Sequence, residues 1–133
     1  MDPKVEDFLE KYHKAVQTTL KPDGTPHVAR VGVGLVDGKL WGSSTKTRTR
    51  HKFLLKDPRS TLCVLHDDGY QWLGVQSRVT ILDGPDAPQL NLKLYRTLAG
   101  EPDDVDEYLE AMVKEQRVIY EFSIERTYGL FGG

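Results

Sequence analysis

The chain holds one cysteine, Cys63, among its 133 residues. A single cysteine excludes an internal disulfide and offers no zinc-type ligand spacing. It sits in the apolar run Thr61-Leu62-Cys63-Val64-Leu65 and reads as a buried small hydrophobe rather than a reactive thiol. That usage fits a reducing cytoplasm. No apolar segment approaches the roughly 20 residues a transmembrane helix needs. The start, Met1-Asp2-Pro3-Lys4-Val5-Glu6-Asp7, is charged and has no signal-peptide core behind it, so a cytoplasmic chain is expected. A basic excess is also missing. The net charge is −2, which argues against a general nucleic-acid binder.

The standard chemical motifs are absent as well. There is no G-x-G-x-x-G, no Walker A loop and no G-x-S-x-G elbow. His13, His27, His51 and His66 have no partners at metal-ligand spacing, so no metal site is expected. The acid pairs Asp67-Asp68 and Asp103-Asp104 fall in a turn and at a helix cap. Nothing supplies a nucleophile or an acid–base pair, and no catalytic residue is assigned. Any enzymatic chemistry has to come from a cofactor.

Hydrophobic residues make up 38% and charged residues 29%, an ordinary globular composition for one domain over residues 1–133. Asp2 as N-cap and Pro3 as first helical residue start a short amphipathic helix over 3–12. Strands are expected at 15–20, 27–36, 39–44, 60–66, 70–82 and 117–124. Asp37-Gly38 is a strong hairpin signal. Helices are expected at 48–56, 87–99 and 103–115, and the tail Gly132-Gly133 is expected to fray. Hairpins come first and helices are grouped late, which favours an antiparallel barrel with peripheral helices over a doubly wound sheet. In the second strand, His27, Ala29, Val31, Val33 and Leu35 form the core face. The other face carries Arg30, Gly32 and Gly34, where glycine marks either close approach of a ligand or backbone, or a bulge.

One feature stands out against the acidic whole. Between Thr45 and Arg59, six basic residues (Lys46, Arg48, Arg50, Lys52, Lys56, Arg59) face one acid, Asp57. The run lies where the third strand hands over to a helix. Helix N-termini expose free N–H groups and a positive dipole end. With the hydroxyls of Ser43, Ser44 and Thr45, this is the inventory of a phosphate site. On composition alone it reads equally well as a solvated helix face.

The segments "STKTRTRHKFLLKDPRS", "TLCVLHDDGYQWLGVQSRVTIL" and "LYRTLAGEPDDVDEYLEAMVKEQRVIYEFSIERTYGL" resemble the pyridoxamine-phosphate-oxidase-like split barrels. Within these, the chain is similar to the actinobacterial branch that uses the deazaflavin coenzyme F420. The resemblance implies a mainly β, six-stranded antiparallel split β-barrel. It also implies a homodimer with two cofactor sites at the subunit interface. It places the phosphate contact on Arg48 and Arg50, with Lys46 and Lys52 nearby and Ser43, Ser44 and Thr45 before the helix. It places His27 and Arg30 along the site, and Trp72, Gly74 and Gln76 beside the ring system. A tryptophan on a strand is more often packing than a stacking wall. Arg50 stands where the family often carries Lys. Phe53 stands where it often carries Asn, which removes a side-chain amide.

The implied activity is hydride transfer from reduced F420 to a conjugated C=C or C=N bond of a small molecule, such as an enone or a bilin. The alternatives are an FMN oxidoreductase of the same fold and a non-catalytic F420 carrier. The basic run serves either cofactor.

Overall fold

The computed structural model describes residues 1–132, so Gly133 of the expected frayed tail lies outside the described residues. The elements run α1 (Pro3–Lys11), β1 (Lys14–Leu20), β2 (Pro26–Val36), β3 (Lys39–Thr45), α2 (Thr49–Lys56), β4 (Arg59–Leu65), β5 (Trp72–Leu82), α3 (Ala87–Ala99), α4 (Val105–Lys114) and β6 (Arg117–Leu130). The strands close into an antiparallel barrel in the order β1-β2-β3-β6-β5-β4. The expected mainly-β barrel with peripheral helices is what the chain forms.

Local chemistry fixes the ends. Asp2 accepts from the Lys4 amide at 2.7 Å, with Pro3 opening α1. Asp104 accepts from the Glu107 amide at 3.1 Å and starts α4. Asp37 and Gly38 take φ of 51° and 78°, the double left-handed bend of the tight hairpin between β2 and β3. The β4–β5 turn ties up two residues the sequence placed in a strand. Asp68 accepts from the amides of Tyr70 and Gln71, so β5 begins only at Trp72.

β6 differs most from expectation. It continues six residues past Ile124, to Leu130. Gln76 pairs with Arg126 but Ser77 pairs with Ile124, so Glu125 is an extra residue in β6. A bulge of this kind shifts the in–out alternation by one. The apolar pattern therefore ends at 124 while the ladder does not.

The core fills the barrel with Val33, Leu40, Leu62, Val64, Leu73, Val75, Val118 and Phe122, and α1 adds Val5, Phe8 and Leu9. A fully buried Val, Leu or Phe contributes about 1.5–3 kcal/mol. A second cluster, Val36, Trp41, Leu94 and Ile119, seats α3 against the outside of β2, β3 and β6. This accounts for one of the two strand glycines. A Cβ on Gly34 would stand 3.0 Å from Leu98 Cδ2, and one on Gly32 would stand 3.7 Å from Leu98 Cδ1. It is the approach of α3, and neither a bulge nor a ligand, that uses the space at Gly34. No helix among the described residues is long and apolar enough to cross a membrane.

The barrel is split on one side. β2 pairs with β3 only from Val33 to Val36. Its first half, Pro26–Gly32, pairs with β1 alone, and Ser43–Thr45 of β3 pair with β6 alone. Helix α2 lies across this opening. Its Phe53 packs edge-on against His27 of β2 at 5.5 Å, and its His51 bonds Tyr120 of β6.

At the exit of α2, Arg59 holds Asp57 through a 2.8 Å charged hydrogen bond and through its backbone amide. These contacts hold the Asp57 carboxyl at about 2, against an ordinary 3.8. A depressed folded-state pKa gives stability that is present above the unfolded value and is lost as pH falls. The stability difference between wild type and Asp57→Asn is therefore expected to shrink between about pH 4 and pH 2. Urea melts across that range read it directly. A difference that stays constant would contradict it.

Candidate functional site

The split brings the β3–α2 junction beside the α4–β6 junction. Thr45 of β3 pairs with Arg117 of β6, and the Lys46 amide donates to the Gln116 carbonyl at 3.1 Å. A groove of about 430 Å³ lies between them, lined by Thr45, Thr47, Arg48, Lys114, Glu115, Gln116 and Arg117. The Thr45 and Thr47 hydroxyls bond each other at 2.8 Å. Arg48 is the N-cap residue of α2 and provides no side-chain cap. No side chain caps the helix N-terminus, where free N–H groups favour an anion, and Arg48 and Lys114 both line the groove beside it. Arg117 spends its guanidinium on Glu115 at 3.0 Å. Lys114, Gln116 and Arg117 lie more than fifty residues beyond the basic run. Only the β3–β6 pairing brings them in, and no local sequence signal announces that pairing.

Arg50 is half-buried, and its Nε has no hydrogen-bond partner. Burial pushes its guanidinium pKa down. The Tyr120 phenol opposes that, and Arg48 and Arg117 reinforce it. Lys46 and Lys52 are exposed.

The three hydroxyls of β3 do not act together. Ser44 points into the barrel and is fully buried, with its hydroxyl beside the Tyr120 phenol; burial raises the phenol pKa, and that contact opposes it. Ser43 points out, and its hydroxyl donates to Asn91 Oδ1, whose amide donates to the Ala87 carbonyl at 2.9 Å. Strand alternation separates them. Of the three, Thr45 reaches the groove and Ser44 faces the α2 seam from within.

His27 and Arg30 also fall on opposite faces of β2. His27 sits at the split against Phe53, its Nδ1 buried and unpartnered. Arg30 is exposed, opposite Val16.

Trp72 and Gln76 belong to the outer face of β5, which stands opposite β2 in the barrel order. Within one chain they do not meet α2. Trp72 packs edge-on against Tyr128 at 5.8 Å, and the Tyr128 ring lies on Gly74, where a Cβ would come within 2.5 Å of Tyr128 Cζ. Around them, the outer faces of β1, β4 and β6 add Val16, Cys63, Leu65 and Leu130, with Leu130 62% exposed. Cys63 is half-buried on this face rather than in the core, because Leu62 and Val64 take the inward positions. Burial still pushes its thiol pKa up, which disfavours the reactive thiolate.

A family model described as pyridoxamine 5'-phosphate oxidase matches residues 1–131. A Mycobacterium tuberculosis biliverdin reductase dependent on reduced F420 is 31% identical over 127 residues, covering 92% of this chain and 82% of the relative. The solved structure of a conserved hypothetical protein, Rv2991 of Mycobacterium tuberculosis, superposes with a TM-score of 0.84 at 20% identity, over 98% of this chain and 84% of that one. One described as an F420 reductase gives 0.74 at 23% identity, over 92% and 94%.

Proposed function

Because the chain belongs to the pyridoxamine 5'-phosphate oxidase family, we propose that it is a single-domain oxidoreductase that binds F420 at the α2 end of its barrel and reduces a conjugated C=C or C=N bond. The observation that carries this reading is the N-terminus of α2, which no side chain caps, beside a groove that Arg48 and Lys114 line, with the half-buried Arg50 one residue into the helix. A phosphate group fits that set: it is anionic, and it offers several acceptors to donors that are otherwise unpaired. The relative that reduces biliverdin with reduced F420 supports the deazaflavin and an enone- or bilin-like substrate.

The bound deazaflavin would supply the hydride. The chain's own work is to hold and orient. Arg48 and Lys114 would neutralise the phosphate, and the free first-turn amides of α2 would donate to it. No side chain at the site needs to act as a nucleophile. FMN carries a phosphate that the same donors would take, and a carrier without turnover would need the same cradle.

The second part of the proposal is a homodimer working in the cytoplasm. The apolar face of exposed Leu65, Tyr128 and Leu130, with Trp72 half-buried among them, supports the dimer, since a patch of that kind marks an interaction surface. Trp72 and Gln76 stand on that face, so a part for them in a cofactor site depends on how two copies pack.

A binding titration of F420 and FMN on the same preparation tests the reading. F420 is expected to bind at least tenfold more tightly than FMN. Tighter FMN binding would move the protein to flavin chemistry. F420 binding without oxidation of the reduced form by any conjugated acceptor would make it a carrier.

A further inference from the structure

Helices α3 and α4 lean on the outside of β3 and β6 and leave a cleft of about 330 Å³ between them. Its walls are apolar and aromatic. Leu94, Tyr95 and Leu98 come from α3, and Tyr108 and Met112 from α4. The two tyrosine rings stand 4.9 Å apart, tilted by 52°. A cleft of this size and lining is of the kind that takes small molecules. Sheet alternation builds its floor. Ser43 and Arg117 both point outward, Ser43 opposite Ile119 and Arg117 opposite Thr45 on the next outward rung. That step of two residues places Arg117 about 7 Å along the sheet from Ser43.

The two polar ends of the cleft differ in what they offer. Asn91 is 1% exposed; its Oδ1 accepts the Ser43 proton, and its own amide donates to the Ala87 carbonyl at 2.9 Å. Tyr108 ties α4 to the same residue, its hydroxyl donating to the Asn91 carbonyl at 3.1 Å. With its proton committed, the Ser43 oxygen has only lone pairs to give. At the other end Arg117 is held loosely. Its Nε and Nη2 converge on one oxygen, Glu115 Oε1, each at 3.0 Å, short of the two-oxygen fork that makes such pairs strong. The two side chains stay 28% and 45% exposed, and exposed pairs contribute little. Glu115 is also the C-cap residue of α4, where the helix dipole disfavours a carboxylate. A carboxylate entering the cleft would bring two oxygens to a guanidinium that Glu115 engages through one.

We propose that the cleft between α3 and α4 is a binding site for a bicyclic aromatic carboxylic acid, its rings against the tyrosine pair and Met112, its carboxylate on Arg117 in place of Glu115, and a hydroxyl or N–H at its far end donating to Ser43. The span of about 7 Å between the two polar ends suits two fused rings. The site borders the groove at α2, with which it shares Glu115 and Arg117, and it does not depend on what that groove holds.

The test titrates the full chain with 2-naphthoate, 6-hydroxy-2-naphthoate and the uncharged 2-naphthalenemethanol, read by calorimetry and by NMR of the side-chain methyl groups. The acid is expected to move the Met112 methyl signal and to bind about tenfold more tightly than the alcohol. Arg117→Gln is expected to erase that preference. Glu115→Gln releases Arg117 and is expected to strengthen the acid by about threefold. The hydroxy acid is expected to bind about threefold more tightly than the acid, a gain that Ser43→Ala removes. An unmoved Met112 methyl, equal affinity for acid and alcohol, a preference that survives in Arg117→Gln, or a hydroxyl gain that survives in Ser43→Ala would overturn the proposal. So would shifts confined to the Thr45 and Thr47 methyls, which put the acid in the groove instead. If Arg117→Gln fails to fold, Glu115→Gln decides: an acid bound no more tightly than by the wild type overturns the assignment.

Discussion

Replacing Arg48 and Arg50 together by alanine is expected to weaken F420 binding by about a hundredfold or more while leaving the barrel folded. A hydrogen bond to a charged group is worth about 1.5–3 kcal/mol. Two of them, at about 1.4 kcal/mol per factor of ten, reach that range. The barrel survives because Arg48 is exposed and makes no side-chain hydrogen bond that caps α2. Removing Arg50 even takes away an unpaired buried Nε–H. Lys52→Ala is the natural control, since Lys52 is exposed on α2 and does not line the groove, whereas Arg48 lines it and Arg50 is half-buried. Calorimetric titration separates the outcomes. An unchanged affinity in the double variant would mean the basic run is only a solvated helix face.

A second large effect is expected far from α2, at Gly129. This residue takes φ of 129°, and an added Cβ would lie 2.4 Å from the Trp72 carbonyl oxygen. The obstacle is backbone within the β5–β6 ladder, where Gly129 pairs with Leu73. It cannot yield as a flexible side chain would. An unfavourable backbone conformation costs about 1–3 kcal/mol by itself, and the clash adds to it. Gly129→Ala is therefore expected to lose about 3 kcal/mol or more, a drop in melting temperature of roughly 10 °C. Gly69 supplies the comparison. It also has positive φ, at 78°, but a Cβ there meets nothing within 4 Å. Gly69→Ala is expected to cost only about 1 kcal/mol. Thermal melts of the two variants check the contrast, and equal losses would show that close approach to Trp72 is not what demands glycine. Because Gly129 sits between Tyr128 and Leu130, its variant is also expected to weaken self-association.

Much of this architecture is legible from short-range chemistry. Asp2-Pro3, Asp37-Gly38 and Asp103-Asp104 mark ends that the chain uses, because caps and tight turns are decided within four residues. The basic run is legible too, since clustered charge survives any fold. What depends on strand pairing is not. The approach of Lys114 and Arg117 to Arg48 follows from Thr45 facing Arg117 across seventy residues. The separation of Ser43 from Ser44 follows from alternation, which a list of neighbouring hydroxyls conceals. The extension of β6 past Ile124 is hidden by a bulged Glu125 that shifts the very pattern used to find strands. Trp72 and Gln76 can be read as strand residues. Their remoteness from α2 within one chain appears only once the barrel is closed.

The central claim is that the donors at the head of α2 serve F420 in hydride transfer. It is tested most directly by following oxidation of reduced F420 with a conjugated acceptor, in wild type and in the Arg48→Ala, Arg50→Ala double variant. The account predicts acceptor-dependent oxidation by the wild type and, at the same cofactor concentration, a loss of about a hundredfold in the variant. Equal rates in the two proteins, or no oxidation by a wild type saturated with F420, would contradict it.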